Sequence, residues 1–587
     1  MLTDQDIETL SSAPQMLCMQ CEQAAMNKAC MQSKGVCSKD ADLSALFDLI
    51  IAGCFSVSVH ARPLVDAGID LPDHFIKAVT EGAFLTLTNV NFDKDRVGEY
   101  IDRLRTAKEE AISLVKESNL TSLDIANEFG MNNSTSITNW NPPFSIEEMV
   151  SYGKSEFGIY NRMKKLGATV CGLQELLVYA IKGISAYSTH VALAGGDIKP
   201  DGVAIFTVLS DVVSGQRDLL ELALELGKAN LDTMARLDHA NFNSFGQPTF
   251  TKVSFGVRKG KAILMSGHDL HDLADLLEAT KETGINIYTH GEMLAANSYP
   301  KLKEFSHFVG NYGSAWQNQQ KEFAAFPGAI VINTNCVMPA KKAYKDRMFT
   351  CNVVGEASVT HLESNSKGKK DWSKVIEKAL ELPGFDEDGG PQFDNFLSEQ
   401  TIGANHRTTV PLASAVIDLV KTGKLRRVFF VGGCDGSFSQ RNYFTEVAEY
   451  INEKLPDCVV AGSACGVYRY ITTVDFGTLP DTDGFPRLLH LGQCNDTFSG
   501  IQLVAAIAKE LGAGLNDVPI SYFVSWFEQK AVAILLTLLY LGIKNVRLGP
   551  RLPAWLTEEA LGVLIEKFNI QPIGDAEEDV RKALDGM

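Results

Sequence analysis

The chain has 587 residues, 45% hydrophobic and 21% charged, which is ample for several globular cores. A formal net charge of -18 is unsuited to nucleic acid or an anionic membrane, since both repel an acidic surface. Residues 1–15 lack the basic start and apolar core of a secretory leader, so the expectation is a soluble, cytoplasmic protein in which grouped cysteines, among the 12 present, serve metal or redox chemistry.

The first element is a cysteine loop. Cys18, Cys21, Cys30 and Cys37 are spaced Cys-x2-Cys-x8-Cys-x6-Cys, and four thiolates on one short loop can wrap a single soft metal centre. Iron–sulfur and zinc sites both open with Cys-x2-Cys, and disulfides are a third alternative; spacing alone does not choose among them. Segments near 41–57, 98–116, 171–194 and 205–236 carry apolar residues at helical spacing. Residues 121–143 are rich in Asn and Ser and read as a loop. It ends at Asn141-Pro142-Pro143, before a helix that Ser145 and Glu148 are placed to cap.

From about residue 250 the texture changes. Short β-rich runs at 262–266, 285–289, 329–333, 427–432, 458–462, 488–491 and 520–526 alternate with helical patterns, which predicts parallel α/β sheets. The region is too long for one unit, and the polar stretch 363–392 divides it. The expected domains are 1–245 (helical, with the cysteine loop), 246–385 (first α/β) and 386–587 (second α/β). The longest apolar run, 531–541, is too short to cross a bilayer and predicts a buried helix.

Seven of the α/β elements end in, or are followed by, a residue able to bind metal: His268, Glu292, Cys336, Cys434, Cys465, Cys494 and Glu528. Ligands of open α/β sheets gather at the carboxyl ends of the strands, so these side chains are placed to converge from distant parts of the chain. Singly, each has an ordinary explanation: a buried cysteine as a small hydrophobe, His268 as a helix cap, Glu292 as an early helical acid. Together, thiolates suit soft iron–sulfur bonding, while imidazole and carboxylate suit a harder, oxygen-rich part of a mixed cluster. Lys530 would share the face of Glu528 on a strand but not at the start of a helix; it reads either as a proton donor or as a surface lysine. His290, beside Glu292, is a candidate supporting group. Cys54, Cys171, Cys351 and Cys458 lack such placement and read as structural.

The segments MLCMQCEQ at 16–23, SGHDLHDL at 266–273, YTHGEML at 288–294, NTNCV at 333–337, VGGCDG at 431–436, SACGVYRY at 463–470, GQCND at 492–496 and SWFEQKAV at 525–532 resemble the hybrid-cluster, or prismane, protein family of hydroxylamine reductases. The resemblance implies a helical-bundle N-terminal domain followed by two Rossmann-like three-layer α/β/α domains, with a cluster at their interface. It implies a 4Fe-4S cluster (2Fe-2S in some members) on Cys18, Cys21, Cys30 and Cys37, the present spacing being nearer the 4Fe-4S form. A hybrid 4Fe-2S-2O cluster would be held by the seven strand-end donors, with Cys434 often a persulfide and Lys530 close by. Carbon monoxide dehydrogenases share the architecture, but their nickel site uses Cys and His, and the two Glu here argue against it.

The implied reaction is reduction of hydroxylamine to ammonia and water, with Lys530, Glu292 and Cys434 as catalytic groups. Nitric oxide reduction with protein S-nitrosylation, as in nitrosative stress, is one alternative. Peroxide protection and a non-catalytic redox sensor are others. No G-x-G-x-x-G follows a strand, so electrons are expected from an external donor, a ferredoxin-like protein or a flavin reductase. A small-molecule substrate, no nucleic acid, no membrane and a monomer complete the expectations.

Overall fold

The computed structural model describes residues 3–10, 14–123, 137–215, 217–365 and 368–585. Most of the expected loop at 121–143 lies outside the described residues. Ser145 does cap the next helix, its hydroxyl accepting from the Glu148 amide at 3.3 Å.

The N-terminal part is a bundle of long helices: Ala41–Asp66, Asp73–Leu85, Lys94–Glu117, Ala168–Leu193, Lys199–Ser214 and Leu219–Phe245. The single helical stretch expected over 205–236 is two helices. Gly215 ends the first in a left-handed conformation (φ +65°), and Asp218 caps the second through the amides of Leu220 and Glu221. Ala41–Asp66 and Ala168–Leu193 are long and apolar enough to cross a membrane, yet 83% and 89% of their apolar windows are buried inside the fold. They are the central helices of the bundle core.

Among the described residues, fourteen strands form three sheets. The antiparallel ribbon pairs β1 (Thr251–Ser254) with β8 (Glu399–Ile402). One parallel sheet contains β2 (Ala262–Ser266), β3 (Asn286–His290), β4 (Phe308–Asn311), β5 (Ala329–Ile332), β6 (Met348–Cys351) and β7 (Thr360–Leu362), in the order β4-β3-β2-β5-β6-β7. The other contains β9 (Arg427–Gly433), β10 (Cys458–Ser463), β11 (Leu488–Gly492), β12 (Ile520–Ser525), β13 (Val546–Gly549) and β14 (Gln571–Pro572), in the order β11-β10-β9-β12-β13-β14. Both follow the doubly wound 3-2-1-4-5-6 pattern, whose order reverses between the first and fourth strands of the unit. The reversal points are β2/β5 and β9/β12.

β2, β3, β5, β10 and β11 are buried along their whole length, as continuous apolar runs of parallel sheets should be, whereas β9 and β12 keep some partly exposed positions. All seven expected runs are strands, with ends shifted by at most one residue. The apolar run 531–541 lies in the helix Gln529–Tyr540, which packs against Ala168–Leu193 and Leu219–Phe245. Packing is closest at glycines: a Cβ on Gly183 would sit 2.6 Å from Gln529 O, and one on Gly227 would sit 2.2 Å from Leu536 O. The C-terminal unit is thereby locked onto the bundle by backbone contact.

Candidate metal centre

At the reversal point of the first sheet, the turn after β2 carries His268 and the turn after β5 carries Cys336. At that of the second, the turn after β9 carries Cys434 and the turn after β12 leads to Glu528. Glu292, Cys465 and Cys494 follow β3, β10 and β11. The carboxyl ends of the two sheets face each other. Glu292 of the first unit meets both Cys465 Sγ (3.1 Å) and the Cys494 amide (2.6 Å) of the second, and Gln493 donates to the His268 carbonyl at 3.0 Å. Ligand atoms of His268, Glu292 and Cys494 all lie within 4.8 Å of one another. All seven donors are buried.

Sharp turns aim these side chains. Gly267 (φ +136°) precedes His268 and Gly433 (φ +109°) precedes Cys434; a Cβ there would meet Asn333 Oδ1 at 2.0 Å and Ser525 O at 2.2 Å. Ala464, before Cys465, takes φ +66° although it is not glycine. His268 Nδ1 shares a 2.9 Å hydrogen bond with Thr334 Oγ1, whose own hydroxyl donates to Asn335 O at 3.2 Å. Nδ1 is thereby tied to the Thr334 hydroxyl, and Nε2 faces Glu292 at 3.2 Å.

Glu528 lies beyond β12, which ends at Ser525, and it caps the helix Gln529–Tyr540 by accepting from the Lys530 amide at 3.0 Å. The helical start does not divert Lys530. Its long stem brings Nζ to His268 Nε2 (3.1 Å) and Asn335 Oδ1 (3.0 Å), under the Tyr187 ring, and the residue is 2% exposed. The surface reading is thus excluded.

Burial opposes the charge of Lys530, but Cys494, Glu528 and Glu292 hold its pKa above the ordinary value. Burial would likewise raise Glu292, yet His268 and Lys530 outweigh it and keep the carboxylate ionised. Burial also pushes up Glu528 and the thiols of Cys336, Cys434, Cys465 and Cys494, with nearby carboxylates adding to the effect on the thiols. Four thiols and two carboxylates around one lysine leave the thiols protonated, unless a strongly cationic group sits among them. Glu528 Oε1 is buried with no partner, an acceptor left for such a group. Soft sulfur donors together with the harder imidazole of His268 and carboxylates of Glu292 and Glu528 fit a mixed iron–sulfur–oxygen cluster.

Cys18, Cys21, Cys30 and Cys37 are brought together separately, lining one small cavity with Gly35 and Thr88. Cys18 and Cys30 exchange backbone hydrogen bonds at 3.1 and 2.8 Å, and all four thiols are free. Burial and then the thiols of Cys37, Cys18 and Cys30 raise the Cys21 pKa, as expected where four sulfurs crowd one place. This loop abuts the other centre: Glu22 N donates to Phe527 O (3.0 Å), and the Gln529 amide bridges Gln20 O and Thr88 N.

His290 does not serve Glu292; its ring bonds Ser266 at 3.0 Å and Glu322 at 2.8 Å on the far side of β3. Three neighbours were not legible as site residues. Tyr187 lies against Cys494, and His190 stacks on His268 at 5.6 Å; both come from the bundle helix Ala168–Leu193. Arg441 donates to Cys434 O (2.9 Å), Trp526 O (2.6 Å) and Glu22 (3.2 Å), tying three loops together. Cys54, Cys171, Cys351 and Cys458 are buried elsewhere.

Residues 16–581 match the family described as Prismane/CO dehydrogenase. Proteins named hydroxylamine reductase are similar nearly end to end. That of Rhodospirillum rubrum is 41% identical over 96% of this chain and 99% of its own, and that of Syntrophobacter fumaroxidans is 42% identical over 97% and 100%. Among solved structures, carbon monoxide dehydrogenase IV from Carboxydothermus hydrogenoformans superposes with a TM-score of 0.53 at 15% identity, covering 99% of this chain and 94% of that one. At that identity the likeness is one of fold.

Proposed function

The chain belongs to the Prismane/CO dehydrogenase family, and from that premise we propose that it is an iron–sulfur oxidoreductase reducing hydroxylamine to ammonia and water between its two α/β units. The observation that carries this reading is the buried meeting of His268, Glu292 and Cys494 within 4.8 Å, with Lys530 3.1 Å from His268. A hybrid 4Fe-2S-2O cluster held by His268, Glu292, Cys336, Cys434, Cys465, Cys494 and Glu528 would supply electrons and a position at iron for a small ligand.

The chain's own groups do the rest. Thr334 orients His268 for binding through Nε2, and Arg441 and Ser525 fix the Cys434 carbonyl so that its side chain is presented to the centre. Lys530 Nζ is a buried proton donor at the site, placed to protonate the oxygen that leaves as water. Tight packing keeps bulk water from that oxygen. Cys18, Cys21, Cys30 and Cys37 would hold a 4Fe-4S relay, and the Glu22–Phe527 and Gln20–Gln529 contacts give electrons a short covalent and hydrogen-bonded path inward.

Anaerobic ammonia formation from hydroxylamine with a reduced dye tests the reading. Wild-type protein should turn over, and Glu292→Gln and Cys434→Ser should lose at least about a hundredfold in kcat. No ammonia from the fully metallated, reduced protein, or variants equal to wild type, would refute it. Nitric oxide consumed in clear preference to hydroxylamine would move the assignment to nitric oxide reduction.

A further inference from the structure

The surface over the N-terminal cysteines differs from the rest of this acidic molecule. Met26 is 87% exposed, more than any other large apolar side chain among the described residues, and its backbone is left-handed at φ +54°. Val36, beside Cys37, is 50% exposed. A non-glycine residue held in that conformation to put an apolar side chain into water is costly twice over. Both side chains line a groove of about 620 Å³, closed on the opposite wall by Phe438 and Arg551. Gln23 joins the walls by donating to Ser437 Oγ at 2.6 Å, and Arg551 stacks on Phe438 at 4.3 Å. One wall is therefore the cysteine loop, and the other joins Phe438, four residues after Cys434, to Arg551 beyond β13.

The charge of the cysteine loop differs from that of the chain, and the one charged residue lining the groove is Arg551. Residues 18–37 contain one acid, Glu22, and it is buried against Arg441. Lys28 pairs with Asp6; Lys34, two residues before Val36, is exposed, and Arg551 in the groove wall acts through space on the buried Glu22. The chain as a whole carries -18. Cys18 and Cys37 are only partly buried, so a redox group on them is within reach of anything seated in the groove.

We propose that this groove is the docking face for an acidic one-electron carrier protein of ferredoxin type, which covers Met26 and Val36 and pairs its carboxylates with Lys34 and Arg551. A small apolar centre within a charged rim is the pattern of brief redox encounters, where charge sets the association rate and a modest interface allows release. Each encounter oxidises the carrier by one electron and reduces the iron–sulfur cluster by one. Two encounters and two protons convert one hydroxylamine to ammonia and water. The inference rests on the function proposed above.

The test compares two donors on the holoenzyme: a reduced acidic ferredoxin and reduced methyl viologen. Met26→Glu and Lys34→Glu should each raise the KM for ferredoxin about tenfold, and added salt should raise it for wild type, with dye-driven activity unchanged in all. Wild-type enzyme that turns over with dye but is not reduced by the acidic ferredoxin overturns the docking face. So does an equal ferredoxin KM in wild type and both variants. Absence of dye-driven turnover in wild type strikes the functional reading itself, so the two failures are distinguishable.

Discussion

Lys530 decides the charge balance of the centre, because its ammonium meets the donor His268 directly. Lys530→Met keeps the stem and removes the ammonium. We expect kcat to fall by about two to four orders of magnitude with iron content largely kept, read from ammonia production alongside iron analysis. Arg441 acts differently. Its side chain and that of Glu22 have no exposure, so Arg441→Met strands a carboxylate in the interior and should cost about 3–5 kcal/mol, measured by anaerobic denaturant unfolding. At this scale the sequence was informative wherever the signal was local. A glycine or alanine with positive φ precedes His268, Glu292, Cys434 and Cys465, and these small residues are visible in SGH, HGE, GGC and SAC. Tyr187, His190 and Arg441 carry no such mark. Their roles arise from helix packing, which no neighbouring residue encodes.

The helix Gln529–Tyr540 transmits the bundle's position to the site. Gly183 lets the bundle helix touch its first turn, so Gly183→Ala forces the backbone of Gln529 and Lys530 to move. A loss of about 1–3 kcal/mol and a reduced kcat should follow, seen by thermal melting and assay. Gly562→Ala, in open space within a helix, is the control and should gain up to about 1 kcal/mol. Central strands were legible because burial on both faces makes them continuous apolar runs. The strands β1, β4, β6, β7, β8, β13 and β14 escape the sequence pattern: they are two to four residues long, and β1, β7, β8 and β14 are partly exposed. The pair at 199–214 and 219–245 was merged because a four-residue break hardly disturbs an apolar period.

At the scale of the whole molecule, two sheets of the same strand order present their carboxyl ends to each other, and the helical bundle closes the side. That arrangement buries thiols and carboxylates together, so stability should depend on what they bind. Chelating iron under reducing conditions should lower Tm by on the order of 10 °C, checked by anaerobic calorimetry of the loaded and stripped protein.

The most direct measurement is anaerobic iron and acid-labile sulfide analysis combined with electron paramagnetic resonance on wild type, Cys21→Ser and Cys494→Ser. The account predicts about eight irons per chain in two distinct spectra, with Cys21→Ser altering one and Cys494→Ser the other. One zinc per chain without iron, or a single spectrum untouched by Cys494→Ser, would contradict it.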